Sequence, residues 1–542
     1  MKKKFFFILF LIFIISNIGL GSWGLTESSE ARYAEISKEM VQTGDYLHPV
    51  LLGIKHYDKP PLTYYITSLG YKIFGINEFG ARFFLIVALI LQLLLVFYIS
   101  LALFNKEKTA IASAIIYFSF PIVLIATHNL TTDAYLTTLI LMATYSWLLR
   151  KKDGFVFYLY TFYILLGLAF LTKGPVVFIP IIVFIGVWKI INKEKIKISI
   201  HTILGTLLFI IISASWYVFI IMDNPFLWDY FIQKELLGRI VNAENFHRAQ
   251  PFWYYILLAP LIGLPWFIFI LVEIINKFKS IKKDKSRLFI LTLTILVLFF
   301  VFSIFSSKLT LYILPIYPFI AILGGSLLFK IPKKRLQYYI LSFKIIIPFC
   351  MVGLLISLFF YNFEWGILSF YFLIIFMALI IGYIYTYSHF RPVKKLTAFS
   401  LLFAFCTMLS FYWLASHNED EINSAKNVIG FITSEKGESF NNVMVYNYLL
   451  PSASFYLDKE IITINNGKNT TTRNTQLEND DDYKRTFVDI KMPNGIIELK
   501  ALIQQKDNVL LVRKKDSIPD SLQFIIKPFH QKHQVGKWVI YL

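Results

Sequence analysis

"EFGARFFLIVALILQLLLVFYISLALFNKEK", residues 78–108, decides the class of this chain. From Phe83 to Phe104 it carries no charge, and then it ends on the basic cluster "NKEK". A helix of that length crosses the roughly 30 Å apolar core of a bilayer. Similar runs recur along the sequence, and hydropathy places thirteen spans at roughly 4–20, 79–104, 109–127, 131–149, 155–172, 174–192, 199–221, 252–276, 288–305, 309–329, 340–361, 366–388 and 396–416. The 542 residues are 57% hydrophobic and only 16% charged, more apolar side chain than a soluble core uses. The expectation is a polytopic α-helical membrane protein.

Charge orients the spans. With Met1 cytoplasmic, the inside segments are "MKKK", "NKEK", "RKKDG", "NKEKIK", "NKFKSIKKDKSR", "KIPKKRLQ" and "HFRPVKK", all basic. The outside connections "HNL", "TKG", "SSK" and "NFEW" hold at most one lysine each. This asymmetry explains the net charge of +19 through loops facing anionic lipid, without nucleic acid. An odd number of spans puts the C-terminal tail outside. The N-terminus resembles a signal peptide but lacks a small-x-small cleavage site, so a retained first helix is expected. Cys350 and Cys406 fall in apolar runs, which excludes a disulfide framework or a zinc-thiolate centre. No internal repeat is present.

Three outer stretches exceed simple turns: 21–78, 222–251 and the tail 417–542. The tail alternates polar helix-like segments with the apolar runs "NVMVYNYLL", "EIITI", "NVLLVRK" and "WVIYL", which predicts a small α/β domain. The division expected is a membrane domain over 1–416 and a C-terminal domain over 417–542. In the first loop, "SSEARYAEISKEMVQT" over 28–43 predicts a short amphipathic helix capped by Ser28 or Ser29 and closed by Gly44. Glu30, Arg32, Glu35 and Lys38 cannot all face lipid or protein. "GIKHYDKPP", residues 53–61, then fixes Asp58 and Lys59 with Pro60 and Pro61, before an apolar, tyrosine-bearing stretch suited to the interface.

Further polar groups fall on the same side. Asp133, after His128, opens the fourth span. An acidic residue there is either a functional group facing a cavity or a helix-start partner shared with Thr131 and Thr132. Lys173 in "LTKGP" either snorkels or meets an anion. Glu235 and Arg239 lie four apart, on one helix face. His247 and Arg248 follow, and Lys308 and Tyr312 sit in "SSKLTLYILPIYP". Cations gathered on the cation-poor side suit an anionic ligand with an apolar tail.

With these residues in view, "EARYAEISKEMVQTGDYLHPVLLGIKHYDKPPLTYYI" closely resembles the first periplasmic loop of the bacterial lipid A 4-amino-4-deoxy-L-arabinose transferases. They are relatives of the protein O-mannosyltransferases in the GT-C superfamily. "TTDAYL", "LTKGP", "ELLGR", "HRAQPFWYY", "LPW" and "SKLTLYILPIYP" continue the pattern in order through the membrane portion. The resemblance implies a GT-C-like fold in the inner membrane, with a periplasmic tail. It also implies sugar transfer from a polyprenyl phosphate donor to lipid A or a related acceptor, with no nucleotide cofactor. By the same resemblance, Lys59, Arg239 and Tyr312 contact the donor phosphate, Glu30 and Asp133 are acidic catalysts, and Asp58 and His247 form a zinc pair. Arg32, Tyr33, Lys173, Glu235, Arg248 and Lys308 line the same region. The sequence departs at Ser29, where the family carries Asp, with Glu30 retained and Glu27 nearby, and at Asp58, where the family carries Glu. A protein O-glycosyltransferase, a transporter and a lipid-handling protein are the competing readings. The absence of paired halves and the clustering of charges in loops disfavour the transporter.

Overall fold

The computed structural model describes residues 2–232, 249–283, 287–360, 391–437, 440–467, 474–478 and 480–542. The chain divides into two units. One is a helical bundle of Met1–Gly19, Phe83–Phe219 and Trp228–Trp413; the other joins Leu20–Arg82, Ile220–Leu227 and Leu414–Leu542. The first outer loop is therefore in one unit with the tail.

In the bundle, apolar sequence becomes helix because no water competes for backbone groups in a membrane. Among the described residues six helices are long and apolar enough to cross: Glu78–Phe104, Val156–Ile191, Ile200–Asp223, Arg287–Ile304, Thr310–Leu328 and Pro392–His417. Two bent pairs raise this to eight, Glu107–Phe118 with Pro121–His128 (64°) and Tyr254–Ile262 with Phe267–Lys279 (111°). Pro121 opens the second helix of the first pair, where its missing N–H costs nothing.

Thirteen spans were expected. The runs at 155–172 and 174–192 form one helical stretch with a 3-10 turn at Gly174–Val177. The Lys2–Asn17 helix has only 16 residues. The Thr132–Asp153 helix carries Asp133 at one end and Arg150, Lys151 and Lys152 at the other. The expected span 366–388 lies outside the described residues.

The bundle core is tightly made. A Cβ on Gly325 would fall 2.3 Å from Ser113 Oγ and 2.7 Å from Ser113 N, so the Tyr317–Leu328 and Glu107–Phe118 helices meet where only glycine fits. Buried Gln92 donates to Ala134 O (2.8 Å) and Thr138 Oγ1 (3.0 Å) and accepts from the Tyr117 hydroxyl (2.7 Å).

The second unit rests on a sheet of order β5-β4-β3-β6-β8-β7. Its strands are β3 (Asn442–Tyr446), β4 (Ile461–Asn465), β5 (Phe487–Asp489), β6 (Asn508–Arg513), β7 (Lys532–Val535) and β8 (Trp538–Tyr541). β5, β4, β3 and β6 run parallel; β8 and β7 close the edge antiparallel. β3, β4 and β6 are apolar nearly throughout and buried, as parallel strands covered on both faces require. The four apolar runs of the tail become β3, β4, β6 and β8.

The first-loop helix runs Ser29–Thr43 and ends at Gly44 in the left-handed conformation (φ +77°). Ser28 stands at its start without a side-chain cap bond. Glu30, Glu35 and Lys38 are all buried, contrary to expectation, because each finds a partner. Lys38 Nζ donates to Ser454 O (2.8 Å) and pairs with Asp458 (3.0 Å), and Glu35 lies 3.9 Å from the same amine.

Glu30 meets Arg82. Arg82 Nε donates to Glu30 Oε1 (2.8 Å) and Nη2 to Oε2 (3.0 Å). Nη1 donates to Leu20 O and Trp23 O, and Nη2 also to Gly24 O. The guanidinium thereby uses all its N–H groups, 4.2 Å over the Trp23 ring.

Glu30→Gln leaves Arg82 buried against a neutral partner, a loss of about 3–5 kcal/mol for a broken buried pair. The expected outcome is a sharp fall in folded protein and thermal midpoint, measured by fluorescence-detected size exclusion. Full stability with lost transfer would instead assign Glu30 to chemistry.

Burial also sets a pH dependence. It pushes the Glu35 carboxyl up to about 7 and the Glu39 carboxyl up to about 8, from 4.5. A raised acid favours the folded state when protonated, so this contribution is complete below pH 4.5 and is lost as pH rises towards 8. Glu39→Gln is expected to raise the thermal midpoint at pH 8 by about 2–4 °C, with the gain vanishing near pH 4.5 in a melting series.

Candidate active site

The first-loop unit builds a rigid hook. Val50–Leu51 (β1) and Ile54–Lys55 (β2) pair antiparallel around Leu52 and Gly53, both at positive φ (+54° and +76°). A Cβ on Gly53 would fall 2.4 Å from Thr486 Oγ1, and that hydroxyl donates to Leu52 O (2.7 Å). Lys55 N donates to Glu478 Oε1 (2.5 Å), and Lys55 Nζ reaches Asp480 (2.8 Å). His56 N donates to Pro49 O (2.8 Å). The tail thus fastens the hairpin from which Asp58 and Lys59 extend.

Asp58 and Lys59 are both half-buried, and Lys59 Nζ donates to Asp58 O (2.6 Å). The prolines then start the Leu62–Phe74 helix, which lies against the first-loop helix through Ser68 Oγ on Ser37 O and the Tyr71 hydroxyl on Ala34 O. Tyr33 is buried beside Tyr64, with ring centroids 5.5 Å apart, and Arg32 is half-buried.

Glu30, expected as an acidic catalyst, is engaged in a buried ion pair. Both its oxygens face Arg82, and Oε2 also accepts Thr26 N and Oγ1 at 3.0 Å.

The bundle brings three expected residues together. Lys173 Nζ lies 2.5 Å from Asp133 Oδ1 and 4.2 Å over the Tyr312 ring. Asp133 sits in the first turn of the Thr132–Asp153 helix, Lys173 in the last turn before Gly174, and Tyr312 in the 3-10 segment Thr310–Ile316. Asp133 therefore spends its charge on an amine, while Thr131 makes no cap bond. A nearly buried carboxylate, an ammonium and a phenol side by side can stabilise an oxyanion or hold a hydroxyl proton.

Lys308 stands nearby in sequence but is used otherwise: it is buried and donates to Gln250 O (2.8 Å), where Ala249 bridges to Ser307. Glu235, Arg239, His247 and Arg248 lie outside the described residues. Among the described residues no three His, Cys, Asp or Glu side chains converge as a metal needs. His247, the expected companion of Asp58 at a metal, lies outside those residues.

Sequence reasoning missed Arg82, although a lone arginine opening a 22-residue uncharged run was the available signal. Glu27, noted in the sequence only as a neighbour of Glu30, accepts Ser452 N at Oε1 (2.9 Å), and burial pushes its carboxyl up to about 7.

The dolichyl-phosphate-mannose-protein mannosyltransferase family pattern matches residues 58–217, starting on Asp58. The undecaprenyl phosphate-alpha-4-amino-4-deoxy-L-arabinose arabinosyl transferase of Aeromonas hydrophila is 33% identical over 304 residues, 55% of each chain. This chain thus spans little more than half the length of that curated relative. An uncharacterized protein of Aquifex aeolicus is 31% identical over 355 residues, 63% of this chain and 67% of that one. In three dimensions, ArnT from Cupriavidus metallidurans bound to undecaprenyl phosphate is similar with a TM-score of 0.78 at 19% identity, over 98% of this chain and 96% of that one. At that identity the likeness speaks for the fold, that of a GT-C membrane protein. Sequence and fold are thus similar to those of these transferases.

Asp133→Asn is expected to lower turnover about a hundredfold with little change in folding, since Lys173 keeps an amide oxygen and the Tyr312 ring. Single-turnover assays on purified protein check this; unchanged turnover would reduce the cluster to a structural pair.

Proposed function

We propose that this chain is an integral-membrane glycosyltransferase moving a sugar from a polyprenyl phosphate donor to lipid A or a related envelope glycolipid, on the periplasmic face of the inner membrane. The observation that carries the reading is the Asp133–Lys173–Tyr312 cluster, set in a GT-C fold whose sequence motifs follow in order. The A. hydrophila relative is named for transfer from undecaprenyl phosphate, and the C. metallidurans structure holds undecaprenyl phosphate.

In the reaction proposed, an acceptor oxygen attacks the anomeric carbon. A new C–O bond forms as the bond to the phosphate oxygen breaks, and polyprenyl phosphate leaves with the electron pair. The resemblance assigns Lys59, Arg239 and Tyr312 to the charge that develops on that phosphate. If the acceptor is a hydroxyl, Asp133 takes its proton. If it is a phosphate, already ionised, Asp133 instead balances the positive charge on the sugar and orients the acceptor. Lys173 holds the Asp133 carboxylate in position in both cases through their ion pair.

The match to the mannosyltransferase family pattern supports one second reading, transfer to a Ser or Thr hydroxyl of protein. Mass spectrometry of lipid A from cells with and without the gene separates the two. Loss of a sugar-sized mass on deletion supports the lipid acceptor. Unchanged lipid A with lost glycopeptides moves the acceptor to protein. Lys59→Ala is expected to abolish the transfer while the protein stays folded; an active Lys59→Ala enzyme would remove Lys59 from the donor site.

A further inference from the structure

Gln92 is the only amide side chain in the uncharged run 83–104. It lies midway along the Glu78–Phe104 helix and is fully buried. A polar side chain at that depth is expensive unless protein groups meet it, and it marks a place with a task. Its amide is fully engaged. Nε2 donates to Ala134 O (2.8 Å) and to Thr138 Oγ1 (3.0 Å), and Oε1 accepts the Tyr117 hydroxyl (2.7 Å). A carbonyl only accepts, so Ala134 O fixes which end of the amide points to it.

Both acceptors of Nε2 belong to the opening of the Thr132–Asp153 helix, and Ala134 adjoins Asp133 in the chain. Thr138 Oγ1 itself donates to Ala134 O (2.9 Å), so amide, hydroxyl and carbonyl close a buried triangle. The other end of the amide is set by a polar seam. Ser100, about two turns along the helix of Gln92, meets Ser113 Oγ at 3.1 Å. Ser113 and Tyr117 are four apart on one face of the Glu107–Phe118 helix. Ser113 is also the residue against which Gly325 packs. The seam places Tyr117, Tyr117 orients Gln92, and Gln92 grips the turn that carries Asp133.

That turn needs a grip. The first N–H groups of a helix have no acceptor within it, and Thr131 gives no side-chain cap bond at this start. Yet Asp133 must meet groups from two other segments, Lys173 at 2.5 Å and, through the Lys173 amine, the Tyr312 ring. A displacement of about 1 Å in such a constellation costs about a hundredfold in rate. Gln92 supplies from the side the restraint that a cap would have given. Among the twenty side chains a glutamine suits the place, because it offers two hydrogens to one helix and an oxygen to another without carrying a charge.

We propose that Gln92 is a positioning residue for the Asp133–Lys173–Tyr312 cluster: its amide holds the first turn of the Thr132–Asp153 helix in register, so that the Asp133 carboxylate keeps its place beside Lys173. The effect on turnover rests on the glycosyltransferase reading; the hold on the turn stands apart from it.

The test uses the full chain in detergent micelles and the double variant Gln92→Met with Tyr117→Phe. Both partners become apolar at similar shape and Ala134 O keeps Thr138 Oγ1, so no buried polar atom is stranded and the variant is expected to fold. Hydrogen exchange is read by mass spectrometry, and single turnovers are read with undecaprenyl phosphate-linked 4-amino-4-deoxy-L-arabinose as donor probe and lipid A as acceptor probe. Exchange over residues 130–138 is expected to quicken several-fold while that over residues 287–304 stays as in the wild type. The rate at saturating donor is expected to fall about tenfold with donor KM within about twofold. In an Asp133→Asn background the same pair of changes is expected to lower the rate no further, because Gln92 acts through Asp133. Unchanged exchange at 130–138, an unchanged rate, or an equal fall in both backgrounds would each overturn the proposal. If the double variant does not fold, Thr138→Val, which removes one acceptor of the amide, takes its place: faster exchange at 130–138 and a several-fold fall in rate are expected, and no change in either overturns the proposal. A wild type without turnover strikes the glycosyltransferase reading instead, and the exchange at 130–138 then decides the positioning by itself.

Discussion

The buried pair of Arg82 and Glu30 is the constraint on which the first-loop unit depends. A guanidinium removed from water is tolerable only when every N–H has an acceptor. Here the acceptors are the backbone carbonyls of Leu20, Trp23 and Gly24 and the two oxygens of Glu30. Satisfying one side chain fixes the path of residues 20–24 and the start of the Ser29–Thr43 helix together. From that helix Lys38 reaches Ser454 O, Gln42 reaches Asp458, and Glu39 accepts Leu52 N at the hairpin turn. The hook that carries Lys59 is thus held by polar contacts together with the buried side chains of Leu51, Leu52, Ile54 and Tyr57.

The two units reach precision by different means. The bundle relies on close approach, as at Gly325 against Ser113. The loop-and-tail unit buries several carboxyls, at Glu27, Glu35, Glu39 and Glu478, all pushed up by burial. Such groups weaken a fold as pH rises, and they cluster where position and chemistry outrank stability.

Much of the architecture was legible in the sequence. Uncharged runs specify the long helices, and the apolar segments of the tail specify β3, β4, β6 and β8, since burial on both faces leaves continuous Val, Ile and Leu. β5 and β7 were not legible: "FVD" is too short, and "KHQV" has no apolar face. The motif residues Asp133, Lys173 and Tyr312 stood out as polar groups beside apolar runs, and they do meet. Glu30 stood out equally and has a different job, because its partner Arg82 is 52 residues away in sequence. Local pattern shows that a charge is costly; only tertiary structure shows what offsets the cost.

The second unit is assembled from residues 20–82, 220–227 and 414–542. Its first segment is synthesised long before its last. At about 5–20 residues per second, the hook leaves the ribosome tens of seconds before the strands that fasten it. Through that interval Lys38 lacks Ser454 O and Asp458, and the hairpin lacks Thr486 and Glu478. A chain truncated within the tail therefore leaves the hairpin that precedes Lys59 without the fastening of Thr486 and Glu478.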